Sequence, residues 1–345
     1  MGITTAIMDT IPAELTISII IPVHNAGDYF RNSLQSIADS DSPPLEIIVV
    51  ADGDSDGSWR IAKEFGARIL HNPESQGPAR ARNLGARAAV GNILLFIDAD
   101  ITIPRNALSQ VAAVFRGDPG LAALFGSYDD EPQATDFLSQ YRNLFHHYVH
   151  QTACEEASTF WSGCGAIRRE VFTALSGFNE HYRQPSIEDI ELGYRLRTAG
   201  YRIRLVKELK VKHLKRWGMI SLLRADFFYR ALPWTRLILR EGRMLNDLNL
   251  KLSSRLSVIC VCLLTAILPA TVWQPWLAAP AAFLITVLLA LNWGLYCFFK
   301  DKRGLLFALR VIPWNWLYFL YSGLAFAIGL AEHRMNGAGC GAKSC

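Results

Sequence analysis

The sequence lacks most of the short signatures that identify a chemistry directly. No G-x-G-x-x-G follows the first apolar run, which argues against a dinucleotide-binding Rossmann enzyme. No G-x-x-x-x-G-K-[ST] is present, which disfavours a P-loop NTPase. The seven cysteines have no metal-ligand spacing. Cys260 and Cys262 sit in an apolar run as packing residues, Cys154 and Cys164 are expected to be reduced, and Cys340 and Cys345 fall in a Gly-rich tail expected to be disordered. A net charge of +4 over 345 residues is too weak to argue for nucleic acid. Met1–Glu14 has neither the basic start nor the apolar core of a secretory signal, so the catalytic part is expected in the cytosol.

Charge is also scarce in one place. From about Leu256 onward it thins out, although 51% of the whole chain is hydrophobic. Three apolar segments follow there, 256–273, 276–299 and 311–331. Each is near the ~20 residues that span about 30 Å of hydrocarbon. Trp273, Trp276, Trp314, Trp316, Tyr318 and Tyr321 form partial interfacial belts. Just upstream, between Arg195 and Arg243, fourteen Lys and Arg face three acids, Glu208, Asp226 and Glu241. Such a basic stretch marks the cytosolic side of a bilayer. The reading is a multi-pass protein of the cell inner or plasma membrane with a cytosolic catalytic domain. Its first span exits, the second returns, the Lys300–Arg303 loop is cytosolic and the tail ends outside. Ile220–Leu239 mixes apolar residues with arginine and reads as an amphipathic helix in the interface.

The first half alternates short apolar runs with amphipathic segments. Thr16–Pro22, Leu45–Val50, Ala67–Leu70 and Asn92–Ile97 read as strands; Gly27–Ala38, Ser58–Phe65 and Pro78–Val90 read as helices. This rhythm predicts an α/β fold with a mostly parallel twisted sheet flanked by helices, followed by an α-helical transmembrane region. Ligands of such sheets bind beyond the carboxyl ends of the strands. His24 and Asn25, Asp52, and Asp98 with Asp100 fall at those ends. Further on, Arg105–Phe115, Asp136–Gln151, Arg168–Leu175 and Asp189–Ala199 read as helices, and Leu121–Gly126 and Arg202–Val206 as strands.

Asp98-Ala99-Asp100 ends an apolar strand, and two carboxylates there are costly unless a cation joins them. Mg²⁺ or Mn²⁺ fits, since either takes carboxylate oxygens and keeps positions open for a diphosphate. Four blocks occur in order: Ser18–Asn25, Val49–Ser58, Gly77–Gly85 and Asp98–Asp100. Together they resemble the nucleotide-binding half of family 2 glycosyltransferases, whose fold is GT-A. Ser162–Arg169 with Gly177–Glu180 resembles that family's acceptor-side segment, and Ser186–Leu196 its Glu-Asp motif. The resemblance runs from about Thr16 to Trp217.

The resemblance implies roles. Pro22, His24 and Asn25 would line the nucleotide pocket, and Asp52 would accept a hydrogen bond from the base, with a UDP-sugar favoured. Ala51 stands where many members have a second Asp, which leaves the base less certain. Arg82 would lie near the diphosphate, Asp98 would contact the ribose or sugar and share the metal with Asp100, and Asp189 would be the general base. Glu188 accompanies Asp189. His213-Leu214-Lys215-Arg216-Trp217 resembles, in loosened form, the Gln-x-x-Arg-Trp motif of processive synthases; there His213 and Arg216 would meet the diphosphate or metal and Trp217 an acceptor sugar. The expectation is an inverting transferase moving one sugar to a hydroxyl of a lipid-linked, glycan or other membrane-proximal acceptor in cell-envelope glycan or glycolipid synthesis. The alternatives are a polyprenyl-phosphate sugar synthase, a processive polysaccharide synthase and an inactive membrane scaffold. The expected domains are an extension (1–15), a catalytic domain (16–217), a juxtamembrane segment (218–255), the apolar spans (256–331) and a tail (332–345).

Overall fold

A computed structural model describes residues 15–244 and 247–341, with side chains as far as residue 335. The expected extension, Leu15 apart, and the side chains of Cys340 and Cys345 lie outside the described residues. The chain begins β1 (Ile17–Val23), α1 (Asp28–Ala38), β2 (Glu46–Asp52), α2 (Ser58–Glu64), β3 (Arg68–Asn72), α3 (Pro78–Ala88), β4 (Ile93–Ile97). These are the strands and helices expected, shifted by a residue or two. β1, β2 and β4 are mostly buried aliphatic runs, as parallel strands covered on both faces must be, while β3 at the sheet edge is partly exposed.

The second half runs β5 (Ile101–Thr102), α4 (Ala107–Gly117), β6 (Leu121–Tyr128), α5 (Phe137–Gln151), β7 (Cys164–Arg168), α6 (Arg169–Ala174), α7 (Glu188–Thr198), β8 (Arg202–His213). The sheet order is β3-β2-β1-β4-β7-β6-β8-β5. β1 pairs in parallel with β2 and β4, β2 with β3, and β6 with β8, whereas β7 is antiparallel to both β4 and β6 and β5 is antiparallel to β8. The sheet is therefore mixed rather than mostly parallel. β7 went unread because Cys164–Arg168 is short and contains Gly165, and β8 is longer than expected because Lys207 and Glu208 interrupt its apolar pattern without ending it.

After the sheet, α8 (Met219–Arg224) continues through a π-helical segment, Ala225–Ala231, into α9 (Leu232–Glu241). This is the expected amphipathic helix. Its buried side chains include Leu237, which packs with Ile187 and Tyr194 of the catalytic domain. Then come α10 (Leu252–Ala270), α11 (Ala278–Leu291), α12 (Trp293–Arg303) and α13 (Leu305–Gly341). Among the described residues α10 and α13 are each long and apolar enough to cross a membrane. The segment expected as one span, 276–299, is instead bent by 62° at Asn292. Asn292 Nδ2 donates to Ser257 Oγ at 3.0 Å and to the Leu288 carbonyl at 2.9 Å. Beyond the bend, Leu295, Tyr296 and Phe299 pack with Tyr141, Leu144 and Phe145 of α5. α12 thus follows an aromatic surface of the catalytic domain instead of the axis of α11. α13 stays helical past the tail boundary expected at 332.

Candidate active site

The carboxyl ends of β1, β2 and β3 form one wall. Asn25, at φ +51°, accepts from the backbone N–H of Ser55 (2.8 Å) and Asp56 (3.2 Å), while its own N–H donates to Asp54 Oδ1 at 2.9 Å. His24 Nδ1 lies 2.7 Å from the Asp52 carbonyl. Pro22 is half-buried in β1, and His24 and Asn25 are exposed beyond it.

Asp52 is buried, and its two oxygens accept from Asn72 Nδ2 (2.6 Å), Ser75 Oγ (3.0 Å), Gln76 N–H (3.0 and 3.1 Å) and Gly77 N–H (2.9 Å). These contacts make Asp52 the anchor of the 72–77 loop. Glycine is required on both sides of that anchor. A Cβ on Gly53 (φ +63°) would strike the Ser75 backbone, and one on Gly77 (φ +93°) the Arg183 backbone.

Arg82 joins the motifs at the opposite wall. Its buried guanidinium donates to Asp98 Oδ1 at 2.6 Å and to Glu188 Oε1 at 2.9 Å. Burial pushes both carboxyls upward and Arg82 pulls them down, with a net rise for each. Arg82 itself is raised, because the two carboxylates outweigh its desolvation. The side chain expected at a diphosphate is therefore the link between the Asp-Ala-Asp strand end and the Glu-Asp helix start. The next residue, Asn83, holds the 178–180 segment through the Phe178 N–H (2.9 Å) and carbonyl (2.8 Å) and Glu180 Oε1 (3.0 Å).

Asp100 faces His213, with Oδ2 3.5 Å from Nε2. The short β5 causes this, because its antiparallel register pairs Ile101 with His213. Tyr128 stacks on the His213 ring at 4.6 Å. Burial pushes the Asp100 carboxyl up, but His213 and Lys215 outweigh it and hold it below the ordinary range. Among the described residues no three His, Cys, Asp or Glu side chains converge on one point as a ready metal site. The donor set still fits a hard divalent ion. Asp100 is ionised and partly open at 29% exposure, an imidazole stands beside it, and Asp98 keeps 34% exposure despite its Arg82 contact.

Asp189 lies in the first turn of α7, where the helix dipole favours a carboxylate. Its Oδ2 accepts from the Ser162 N–H (3.0 Å) and its Oδ1 from the Ile190 N–H (2.8 Å). It lines a cavity of about 350 Å³ between the catalytic domain and α9, α10 and α13. Asp98, Asp100, Arg82, Glu188, His213 and Asp189 thus gather at one cleft. Arg216 does not join them. It is 76% exposed and reaches Asp136, the cap of α5, at 3.4 Å. Trp217 is held by its N–H to Ser139 Oγ at 2.7 Å, with Lys215 over its ring at 4.4 Å.

Sequence reasoning passed over a buried pair, Arg142 of α5 and Asp226 of the π-helical segment, 2.8 Å apart, with Tyr321 of α13 donating to Asp226 at 2.6 Å. The available signal was that Asp226 is one of three acids in the basic stretch.

Residues 18–175 match the model described as glycosyl transferase family 2, and residues 144–217 one described as the N-terminal domain of galactosyltransferase. A pre-mycofactocin glycosyltransferase of Mycobacterium tuberculosis is 27% identical over 63% of this chain and 47% of its own length. The O-antigen chain rhamnosyltransferase RfbN of Salmonella typhimurium is 26% identical over 58% of this chain and 66% of its own. The chain thus spans about half to two thirds of the length of these relatives. Mannosyltransferase PcManGT of Pyrobaculum calidifontis, solved with GDP-Man and Mn²⁺, superposes with a TM-score of 0.61 at 20% identity over 90% of this chain and 86% of that one. At that identity the likeness speaks for the fold.

Proposed function

Because the chain belongs to glycosyl transferase family 2, we propose that it is an inverting transferase moving one sugar from a nucleotide-sugar, a UDP-sugar by preference, to a hydroxyl of a lipid-linked or membrane-proximal acceptor. The observation that carries this is the position of Asp189, at the cleft and in the wall of a cavity lined by the apolar helices. A sugar hydroxyl is a weak nucleophile near neutral pH, so a positioned carboxylate helps. Asp189 takes the hydroxyl proton as that oxygen attacks the anomeric carbon. The bond from that carbon to the diphosphate breaks on the opposite face, and the nucleoside diphosphate leaves with the electron pair. The N–H groups of Ser162 and Ile190 hold the carboxylate in place for this step.

Asp100 and His213, with the open side of Asp98, would hold Mn²⁺ or Mg²⁺. The ion would supply positive charge against the diphosphate. The wall from Pro22 to Asn25 and the 72–77 loop anchored by Asp52 would cradle the nucleotide. Attachment by α10 and α13, with the catalytic domain on the cytosolic side marked by the basic stretch, would keep the enzyme near an acceptor in the inner or plasma membrane, raising its effective concentration.

The test uses the full chain in detergent with UDP-, GDP- and dTDP-sugars, with and without Mn²⁺. Asp189→Asn should lower transfer by about 10²–10⁴-fold while nucleotide binding stays within twofold or so. Full activity in that variant would sink the general-base assignment and favour a phosphate acceptor, which needs no base. A wild-type chain, shown to be folded, that binds no donor would overturn the transferase reading itself.

A further inference from the structure

The cavity beside Asp189 is more than a by-product of packing apolar helices onto a domain. Its charged lining includes Arg142 of α5, Asp189 of α7, Asp226 and Arg230 of the π-helical segment and Arg255 of α10. Its apolar lining includes Val258 and Ile259 of α10 and Phe319 and Phe326 of α13, with Phe145 and Val149 of α5. Ile259 lines the cavity and is also 55% exposed on α10, so the cavity opens sideways onto the apolar outer surface.

The charges at the polar lining do not balance internally. Asp226 is committed to Arg142 at 2.8 Å and to the Tyr321 hydroxyl at 2.6 Å. Arg230 has neither a hydrogen bond nor an ion pair among the described residues. The charged and polar groups around it are Arg142, which repels it, Asp226, Tyr128 and Asp189, and also His146, His150 and Tyr318; none forms a hydrogen bond or ion pair with it. A half-buried guanidinium without a partner is unfavourable unless an anion completes it. The local backbone is unusual at the same place. Arg230 and Asp226 lie in the π-helical segment, an irregularity that recurs at functional sites.

We propose that this cavity binds the phosphate-bearing end of a single-chain lipid, with Arg230 as the anchor of the phosphate and α10 and α13 as the walls around the start of the chain. Arginine suits a phosphate because its planar fork gives two parallel hydrogen bonds. A volume of about 350 Å³ is at the small end of ligand pockets, which fits a headgroup and the first stretch of one chain better than a two-chain glycerolipid. The proposal rests on the reading above of an acceptor held at the bilayer, and it adds the acceptor's chemistry: an anionic lipid anchor beside the base.

The experiment measures equilibrium binding of farnesyl phosphate, farnesol and inorganic phosphate to the full chain in phosphatidylcholine nanodiscs, without donor. Lipid binding needs no donor, so its failure and the failure of donor binding are separate results. Farnesyl phosphate should bind about tenfold or more tighter than farnesol, and inorganic phosphate far more weakly than either, since it lacks the chain. Arg230→Gln should erase the preference while farnesol binding persists, which also reports an intact cavity. Ile259→Trp, which fills the apolar mouth, should weaken both lipids. If Arg230→Gln binds neither lipid, Arg230→Lys decides: a preference kept by lysine supports the anchor and its loss overturns it. A wild-type ratio near one, or a ratio unchanged in Arg230→Gln, also overturns the proposal. So would displacement by an equal concentration of phosphatidylglycerol, which would place bulk anionic lipid there instead.

Discussion

The two halves of the catalytic domain build their polar sites in different ways. In the parallel half, each polar loop starts at a strand end and closes on the next loop in the sheet. Asn25 reaches Asp54 across 29 positions and Asp52 reaches Asn72 across 20. In the antiparallel half and the helices packed on it, the contacts are long. Arg82 meets Glu188 across 106 positions, Arg142 meets Asp226 across 84, and Tyr321 meets Asp226 across 95. The first arrangement follows from local turn chemistry and leaves its hydrogen-bond acceptors filled by the chain's own donors. The second exists only once the whole domain has closed, and it is where charge remains open for a ligand.

The contrast breaks most directly at Arg82. Replacing it with methionine leaves the buried Glu188 and the half-buried Asp98 with no cation between them. Removing one partner of a buried ion pair costs about 3–5 kcal/mol. Arg82→Met should therefore lower the apparent melting temperature of the full chain in detergent by more than any other variant considered. Arg82→Met combined with Glu188→Gln should recover part of the loss. A single variant as stable as wild type would mean that the long-range half does not depend on its central cation.

Asp52→Ala tests the local half. Hydrogen bonds to a charged group contribute about 1.5–3 kcal/mol, and several are lost together, but the freed donors lie near a solvated loop. The expected loss is about 2–3 kcal/mol, with faster proteolysis of the 72–77 loop and weaker nucleotide binding. Asp52→Asn should retain part of the loop contacts. If Asp52→Ala weakened binding of one base only and left the loop as resistant as before, the carboxylate would be reading the base after all.

A smaller effect is expected at the bend between α11 and α12. Asn292→Leu removes two hydrogen bonds at the kink, and one buried neutral bond contributes about 0.5–1.5 kcal/mol net. The aromatic packing of Phe299 and Tyr296 against α5 remains, so the bend should persist with a loss of about 1 kcal/mol. A cysteine pair placed across α5 and α12 would report it. Failure of the pair to crosslink in Asn292→Leu would mean that the asparagine, not the aromatic surface, sets the course of the chain.

These differences follow what was legible in the sequence. β1, β2 and β4 were readable because buried parallel strands appear as unbroken aliphatic runs. Asp98, Asp100 and Asp189 were readable because a charge that ends an apolar strand or starts a helix stands out against its neighbours. The partner of Arg82 was not, since nothing local links position 82 to position 188. His213 was expected at the metal or diphosphate, but its contact with Asp100 depends on the register of a two-residue strand. The loop contacts of Asp52 were hidden for a related reason. The sequence marks a buried acid in a turn, and only the fold shows that the turn's own N–H groups satisfy it. The bend at Asn292 was hidden because hydropathy measures length and polarity, while the path of α12 is set by aromatic residues of α5 about 150 positions earlier.

The smallest effect is expected at Arg216, where sequence likeness and structure diverge most. In a processive synthase that arginine would face the donor diphosphate. Here it is 76% exposed and lies 3.4 Å from Asp136 at the start of α5. An exposed pair of this kind contributes little, and its long side chain loses rotamer entropy on pairing. Arg216→Ala should therefore change donor KM and the transfer rate by less than about threefold, within the range expected of an exposed ion pair. Trp217→Ala provides the contrast, because it keeps the backbone N–H to Ser139 but removes the ring that Lys215 covers. It should disturb the packing beside His213 more than Arg216→Ala does. A hundredfold loss of transfer in Arg216→Ala, with the chain still folded, would mean that the 213–217 segment swings toward the cleft when donor binds. The long-range half would then include a moving part, and a processive mechanism would regain support.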